Sequence, residues 1–340
     1  ALRGIQPILP TMPVPFDPAD AWNHVPDFAD VCGQPLARRA MVIAAAGGHN
    51  VLLVGAPGTG KSMLARRLPG ILPPLTREEA VETTKIYSIA GQMPAGRGLV
   101  TARPFRSPHH SASSAALAGG GALFRPGECS LANCGVLFLD ELPEFSRESL
   151  EVLRQPLEDG CITVSRAAGS ATYPSRFQLV AAMNPCKCGY YGHPTRACTC
   201  SPSAVRQYRS RVSGPLLDRI DLCVEAAGVG FHDLQKSDHS EESSAAIRQR
   251  VCRIHALQRE RFAGTAIRFN SQIPAEKMEE YCALGTEEEA YMELVFEQLA
   301  LTARTYHKLL RVARTIADME GSEKITVSHL QEAVCYRGIQ

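Results

Sequence analysis

The amino-acid sequence predicts an α/β layer built on a mainly parallel sheet, followed by an all-helical domain. Three observations carry that reading. Short, mainly apolar runs at 51–54, 136–139 and 177–181 read as buried strands, with helical stretches between them. After Asp221 the strand-like texture fades. Beyond a polar run at 237–244, the segments 244–261, 287–300, 303–319 and 327–336 carry the periodicity of packed helices.

In chain order, residues 1–27 are proline-rich, with Pro13, Pro15 and Pro18 closely spaced, so they read as an extended linker without a core. An Ala-rich helix over 36–46 follows, stopped by Gly47 and Gly48, and leads into the strand at 51–54. Thr76 followed by Glu79 is a capping box, opening a helix toward Ala90. The stretch 91–127 is rich in Gly, Pro and Ser and is expected to be mostly loop. At 160–173, β-prone residues alternate on either side of 167–170, the pattern of a hairpin. No internal repeat is present.

Composition removes several classes. Hydrophobic residues make up 45% and charged residues 21% of the 340, a globular balance that excludes a disordered or collagen-like chain. Lys plus Arg (36) against Asp plus Glu (35) leave a net charge of +1, so any nucleic-acid site must be local. The longest apolar stretch, 41–54, is broken by Gly47, Gly48, His49 and Asn50, which excludes a spanning helix. Residues 1–10 lack the charged-then-apolar order of a signal peptide. Eight of the 12 cysteines are scattered, which suits reduced thiols and a cytoplasmic location.

Gly55-Ala56-Pro57-Gly58-Thr59-Gly60-Lys61-Ser62 matches G-x-x-x-x-G-K-[ST] between a strand and a helix. In that context the loop amides cradle phosphates, Lys61 reaches the β and γ phosphates, and Ser62 is placed to ligate Mg²⁺. A second strand ends in Asp140 and Glu141, which divide into a Mg²⁺-holding carboxylate and a general base that polarises water. A third ends in Asn184, a polar amide suited to orienting water or sensing the γ-phosphate. ATP and Mg²⁺ are therefore the expected ligands.

These motifs resemble the AAA+ ATPases, and specifically the magnesium-chelatase-like branch containing the ComM/YifB competence helicases. The likeness is carried by 103–111 (RPFRSPHHS), 119–121, 135–143 (GVLFLDELP), 182–189 (AMNPCKCG) and 214–222 (GPLLDRIDL), and covers about residues 28–337. It implies a division into a linker at 1–27 from an amino-terminal Lon-like domain, an AAA+ core at 28–236 with a zinc-knuckle insertion at 186–200, and a helical lid at 237–340. It also implies that Arg219 is a finger completing the neighbour's ATP site in a homo-oligomeric ring, expected to be hexameric. A salt bridge to Asp218 or Asp221 is the simpler alternative for that arginine. Arg304 resembles the second-sensor arginine of this branch, with Arg311 and Arg314 further along the same helix.

Cys186, Cys188, Cys198 and Cys200 form two C-x-C pairs, a set of four thiolates that suits one tetrahedral Zn²⁺, with free thiols or a redox pair as the alternatives. Arg166 near the hairpin tip, Arg125 in the glycine-rich loop and Lys187 in the knuckle are the candidate DNA contacts. The resemblance implies a DNA motor acting on single-stranded or branched DNA, a helicase promoting branch migration in natural transformation. The alternative is a chelatase-type remodeller acting on a protein partner for metal insertion. The role of the 103–110 motif is left open by the sequence.

Overall fold

A computed structural model describes residues 16, 21–93, 98–121, 124–166, 169–228 and 242–337. Its centre is a parallel five-stranded sheet. In chain order the strands are β1 (Val51–Val54), β2 (Phe105–Arg106), β3 (Val136–Leu139), β4 (Gln178–Met183) and β5 (Leu222–Glu225), arranged in space as β2-β3-β4-β1-β5. The register sets Val54 beside Met183 and Leu139 beside Ala181, so β1, β3 and β4 finish at nearly the same level.

The interior strands are buried on both faces, which is why they read as mainly apolar runs, with Gln178 at the start of β4 satisfied by donating to the His49 carbonyl. Alternate side chains enter different cores. Leu53, Phe138 and Val180 join one cluster with Met41 and Ile43, while Leu52, Leu137 and Leu179 join another with Leu142 and Leu216. The first cluster continues into the carboxy-terminal helices through Val251, Ile254, Leu310 and Ile316.

The edges depart from the expectation. β5 occupies 222–225, where the strand-like texture had faded, because it is an edge strand whose residues alternate between buried and more exposed positions. Among its described residues the stretch 91–127 is mostly loop, and β2 and a short helix at Ser114–Ala118 lie within it. The central helices agree more closely. α1 spans Pro35–Gly47, α2 spans Lys61–Ile71, and α3 spans Arg77–Ala90 behind a reciprocal Thr76/Glu79 capping box.

The carboxy-terminal helices cover Ser244–Arg261, Thr286–Gln298, Ala303–Glu320 and Val327–Cys335. The first packs across α1, where Gln258 donates to the Ala46 carbonyl at 2.7 Å and His255 bonds the Ala45 carbonyl at 2.8 Å. The chain then returns to the sheet, and Arg337 bridges in parallel to Cys223 of β5. The polar run at 237–244 lies outside the described residues except for 242–244, of which Ser243 caps the first of these helices. No described helix is long and apolar enough to cross a membrane.

Candidate active site

Three neighbouring strands deliver their carboxyl ends to one place. β1 runs into the loop 55–62, and Gly60, in the left-handed region at φ 80°, turns that loop into the first turn of α2. The helix therefore presents its amino-terminal N–H groups to the loop, the arrangement that binds phosphate. Lys61 is 8% exposed, and its ammonium donates to the carbonyls of Gly55 (2.7 Å) and Ala56 (2.9 Å) and to Asn184 Oδ1 at 3.2 Å. Burial pushes its pKa down while Asp140 and Glu141 pull it up. A polyanion arriving there would replace loop carbonyls with formal negative charge.

Ser62 Oγ donates to Asp140 Oδ2 at 2.6 Å, so the two expected Mg²⁺ ligands already face each other. Glu141 follows at φ 52°, a left-handed conformation uncommon for a residue with a side chain, with its N–H turned back onto Asp140 Oδ1 at 2.9 Å. That turn leaves the Glu141 carboxylate half exposed. An oxygen-rich pair on Ser62 and Asp140 fits Mg²⁺, which binds through one or two protein oxygens plus substrate phosphates.

Two residues without an assigned role in the sequence also belong here. His110 Nδ1 lies 3.1 Å from Glu141 Oε2, and its ring centre lies 4.0 Å from that of His109, tilted by 35°. It is the end of the 103–110 motif, whose arginines prove structural: Arg103 donates to the carbonyls of Pro73, Pro74 and Cys134, and Arg106 pairs with Glu128. Gln34, at φ 54° ahead of α1, donates to the Thr59 carbonyl at 2.6 Å, and its Oε1 is buried without a hydrogen-bond partner. The nearest sequence signal was the Gly33-Gln34-Pro35 turn before the helix.

The remaining arginines sit at the opposite end of β1. Asn50, just before that strand, donates its side-chain amide to the Arg219 carbonyl at 2.9 Å and its N–H to Asp221 Oδ2 at 3.1 Å. The Arg219 guanidinium pairs with Glu158 and donates to the Pro215 carbonyl, while its Nε is buried without a partner. Burial and the neighbouring cations Arg304 and Arg154 lower its pKa. Arg304 is exposed and bonds Asp218 at 2.9 Å, so Arg219 and Arg304 share one cleft, far from their own phosphate loop. Arg311 instead donates to the Ile273 carbonyl, and Arg314 is buried against Asp318.

The magnesium chelatase subunit ChlI model matches residues 27–234, and the model of its carboxy-terminal region matches 241–337. The chain is 48% identical over 329 residues to the uncharacterised protein YifB of Escherichia coli and 47% over 314 residues to that of Salmonella typhimurium. It is 46% identical over 314 residues to the competence protein ComM of Haemophilus influenzae. The chain belongs to the ComM/YifB family. These alignments cover 92–96% of the chain and 60–63% of the relatives, so it spans about three fifths of their length. Membership makes this an AAA+ core, a family that implies ATP and Mg²⁺ as ligands.

Two further features lie away from the phosphate contacts, the first at the Arg219 end of the sheet, whose cleft Gly160 and Arg176 line. The hairpin forms from Cys161–Arg166 and Gly169–Pro174, paired antiparallel from Cys161↔Pro174 to Arg166↔Gly169. Residues 167–168 and the Arg166 side chain lie outside the described residues. Tyr173 ties the hairpin to the glycine-rich loop by donating to the Phe124 carbonyl at 2.6 Å, beside the exposed Arg125. That hydrogen bond links the two candidate DNA loops.

The four clustered cysteines converge as well. Their sulfurs all lie within 4.8 Å of one another, and the other described cysteines are dispersed and unpaired in disulfides. The amides of Tyr190 and Thr199 draw the Cys188 thiol down to about 5. Against the lowering pull of the Cys200 amide, desolvation and the adjacent sulfurs push Cys198 up to about 12. A sulfur set in which one ionisation opposes the next fits a divalent cation, and thiolates about 2.3 Å from zinc would stand about 3.8 Å apart. Lys187 is exposed on the knuckle, as is Arg196, which stacks on Tyr190.

Proposed function

We propose that this protein is an ATP-hydrolysing motor that works as a hexameric ring on single-stranded or branched DNA in the cytoplasm, promoting branch migration during natural transformation. The observation that carries the ring is the placement of Arg219. It lies at the far end of β1 from Lys61, in a cleft with Arg304, its Nε unpartnered. An arginine so placed serves a phosphate held by another copy, not its own. The DNA part rests on similarity to the competence protein ComM, on the hairpin joined to the Arg125 loop, and on the basic knuckle.

In this reading the loop amides and Lys61 hold the triphosphate, while Glu141 takes a proton from the attacking water. Mg²⁺, held by Ser62 and Asp140, neutralises phosphate charge when bound. Asn184 orients the water, and Arg219 of a neighbouring copy stabilises the charge that develops as the γ-phosphate leaves. Arg304 reaches the same phosphates from that neighbouring copy. The four cysteines hold one structural zinc in a closed shell, with no open position for chemistry.

ATP turnover by the purified chain, with and without branched DNA at two salt concentrations, tests the reading. DNA-stimulated turnover that weakens with salt is expected. Turnover indifferent to DNA but stimulated by a protein partner would replace it with the chelatase-type remodeller.

A further inference from the structure

The cysteine knuckle rests directly on the phosphate loop. From Asn184 the chain passes through Pro185 into fully buried Cys186, then turns so that the Gly189 N–H donates to the Cys186 carbonyl at 3.0 Å. At Gly189 the backbone takes φ +87°, and it lies so close to the Pro57 ring that a Cβ added there would stand 2.5 Å from Cδ and 2.8 Å from Cγ. On the other side, Arg209 of the helix Pro202–Arg209 donates to the Pro185 carbonyl at 3.2 Å and lies over the Tyr191 ring at 5.2 Å. The knuckle is thereby wedged between that helix and the loop. Residues 186–200 contain no helix or strand, so they are tied by local contacts, the sulfur cluster and the bonds His193 Nδ1 accepts from the Thr195 and Arg196 N–H groups among them.

Pro57 immediately follows Ala56, whose carbonyl receives Lys61, and precedes Gly58, which has open space around it. The outer side of the phosphate loop therefore has the knuckle for a backing. We propose that the knuckle positions the phosphate loop through Gly189 on Pro57, so that metal occupancy of the four cysteines and nucleotide occupancy of the loop are thermodynamically coupled. This rests on the zinc reading above. Without the cation the four thiols lose their common ligand, the 186–200 segment loosens, and the ordering of the loop is charged to nucleotide binding. By linkage the effect is reciprocal: a nucleotide must raise zinc affinity by the factor by which zinc raises nucleotide affinity.

The full chain is loaded with zinc, or stripped and dialysed free of chelator, and the Kd for a non-hydrolysable fluorescent ATP analogue with Mg²⁺ is measured on both. About tenfold weaker binding after stripping is expected, reversed by adding zinc, within the usual range of such couplings. Competition with a colorimetric zinc indicator should show about tenfold tighter zinc binding when the analogue is present. Gly189→Ala and Gly192→Ala separate contact from backbone strain, because Gly192 has a similar φ of +76° but nothing within 4 Å. Gly189→Ala should keep one zinc per chain and lose nucleotide affinity about tenfold, while Gly192→Ala keeps both. Should Gly189→Ala fail to fold, Pro57→Ala should abolish the dependence of nucleotide affinity on zinc. One zinc per chain with identical nucleotide affinity in stripped and loaded protein would overturn the coupling and leave the zinc reading intact. Absence of zinc from metal-replete protein would overturn both.

Discussion

At Lys61 an ammonium is held almost out of water by neutral oxygens, which favours exchange of those oxygens for phosphate. Lys61→Ala is expected to weaken nucleotide affinity by about 100-fold or more, seen in direct binding, because the loss removes charge from a desolvated site. Glu141→Gln should behave differently. The amide fills the same space but takes no proton, so turnover should fall about 100-fold or further while the nucleotide Kd holds. Parental turnover in that variant would remove Glu141 as the base. His110 touches the same carboxylate, so His110→Ala should lower kcat several-fold and leave Kd unmoved, since a half-exposed glutamate without its anchor samples unproductive rotamers. Equal changes in kcat and Kd would place His110 in general folding instead.

Among the helices, the heaviest electrostatic commitment is Asp318. Its carboxylate is fully buried and accepts from Arg261 at 2.6 and 2.7 Å, from Arg314 at 3.0 Å and from Asn270 at 2.7 Å. Asp318→Ala would leave two guanidinium groups without their anion and should cost about 3–5 kcal/mol in urea unfolding. A loss below about 1 kcal/mol would mean that the arginines find other partners. What the sequence disclosed follows from range. The phosphate loop, the β3 strand ending in Asp140 and the Thr76 cap are local patterns, in which neighbours along the chain impose the geometry, and their residues were readable. β5 and β2 were not, because edge strands lack the all-apolar signature and β2 has two residues. His110 and Gln34 acquire meaning only when distant segments meet, Glu141 for one and Thr59 for the other. The two-ended placement of Lys61 and Arg219 is likewise a product of sheet order.

Across the whole molecule, the packing of the carboxy-terminal helices on α1 carries a pH signature. Burial drives the His255 pKa down to about 4, with its ring bonded to the Ala45 carbonyl. The unfolded chain therefore takes up a proton near pH 6.5 that the folded chain refuses, and stability falls as pH drops from about 6.5 toward 4. The loss is at most about 3 kcal/mol, reduced by screening at the part-exposed ring edge. His255→Gln keeps a donor for the carbonyl and should flatten the unfolding midpoint across that window. Assembly is tested by mixing: Arg219→Ala and Lys61→Ala proteins, each inactive alone, should regain turnover together, because some interfaces pair an intact finger with an intact loop. No recovery in verified mixed rings would exclude a finger acting on its neighbour. β1 itself has a consequence for timing. Its four residues, at about 3.3 Å each, make a rod about 13 Å long, seated between parallel partners on both sides. One end is the phosphate loop and the other, through Asn50, is the backbone of Arg219. In the proposed ring, whatever nucleotide does to one tip is felt at the next subunit's site with no hinge between, so the stiffness of this rod would set the order in which sites fire. Softening it with Leu53→Gly should disorder the firing sequence around the circle before it stops any single site from firing.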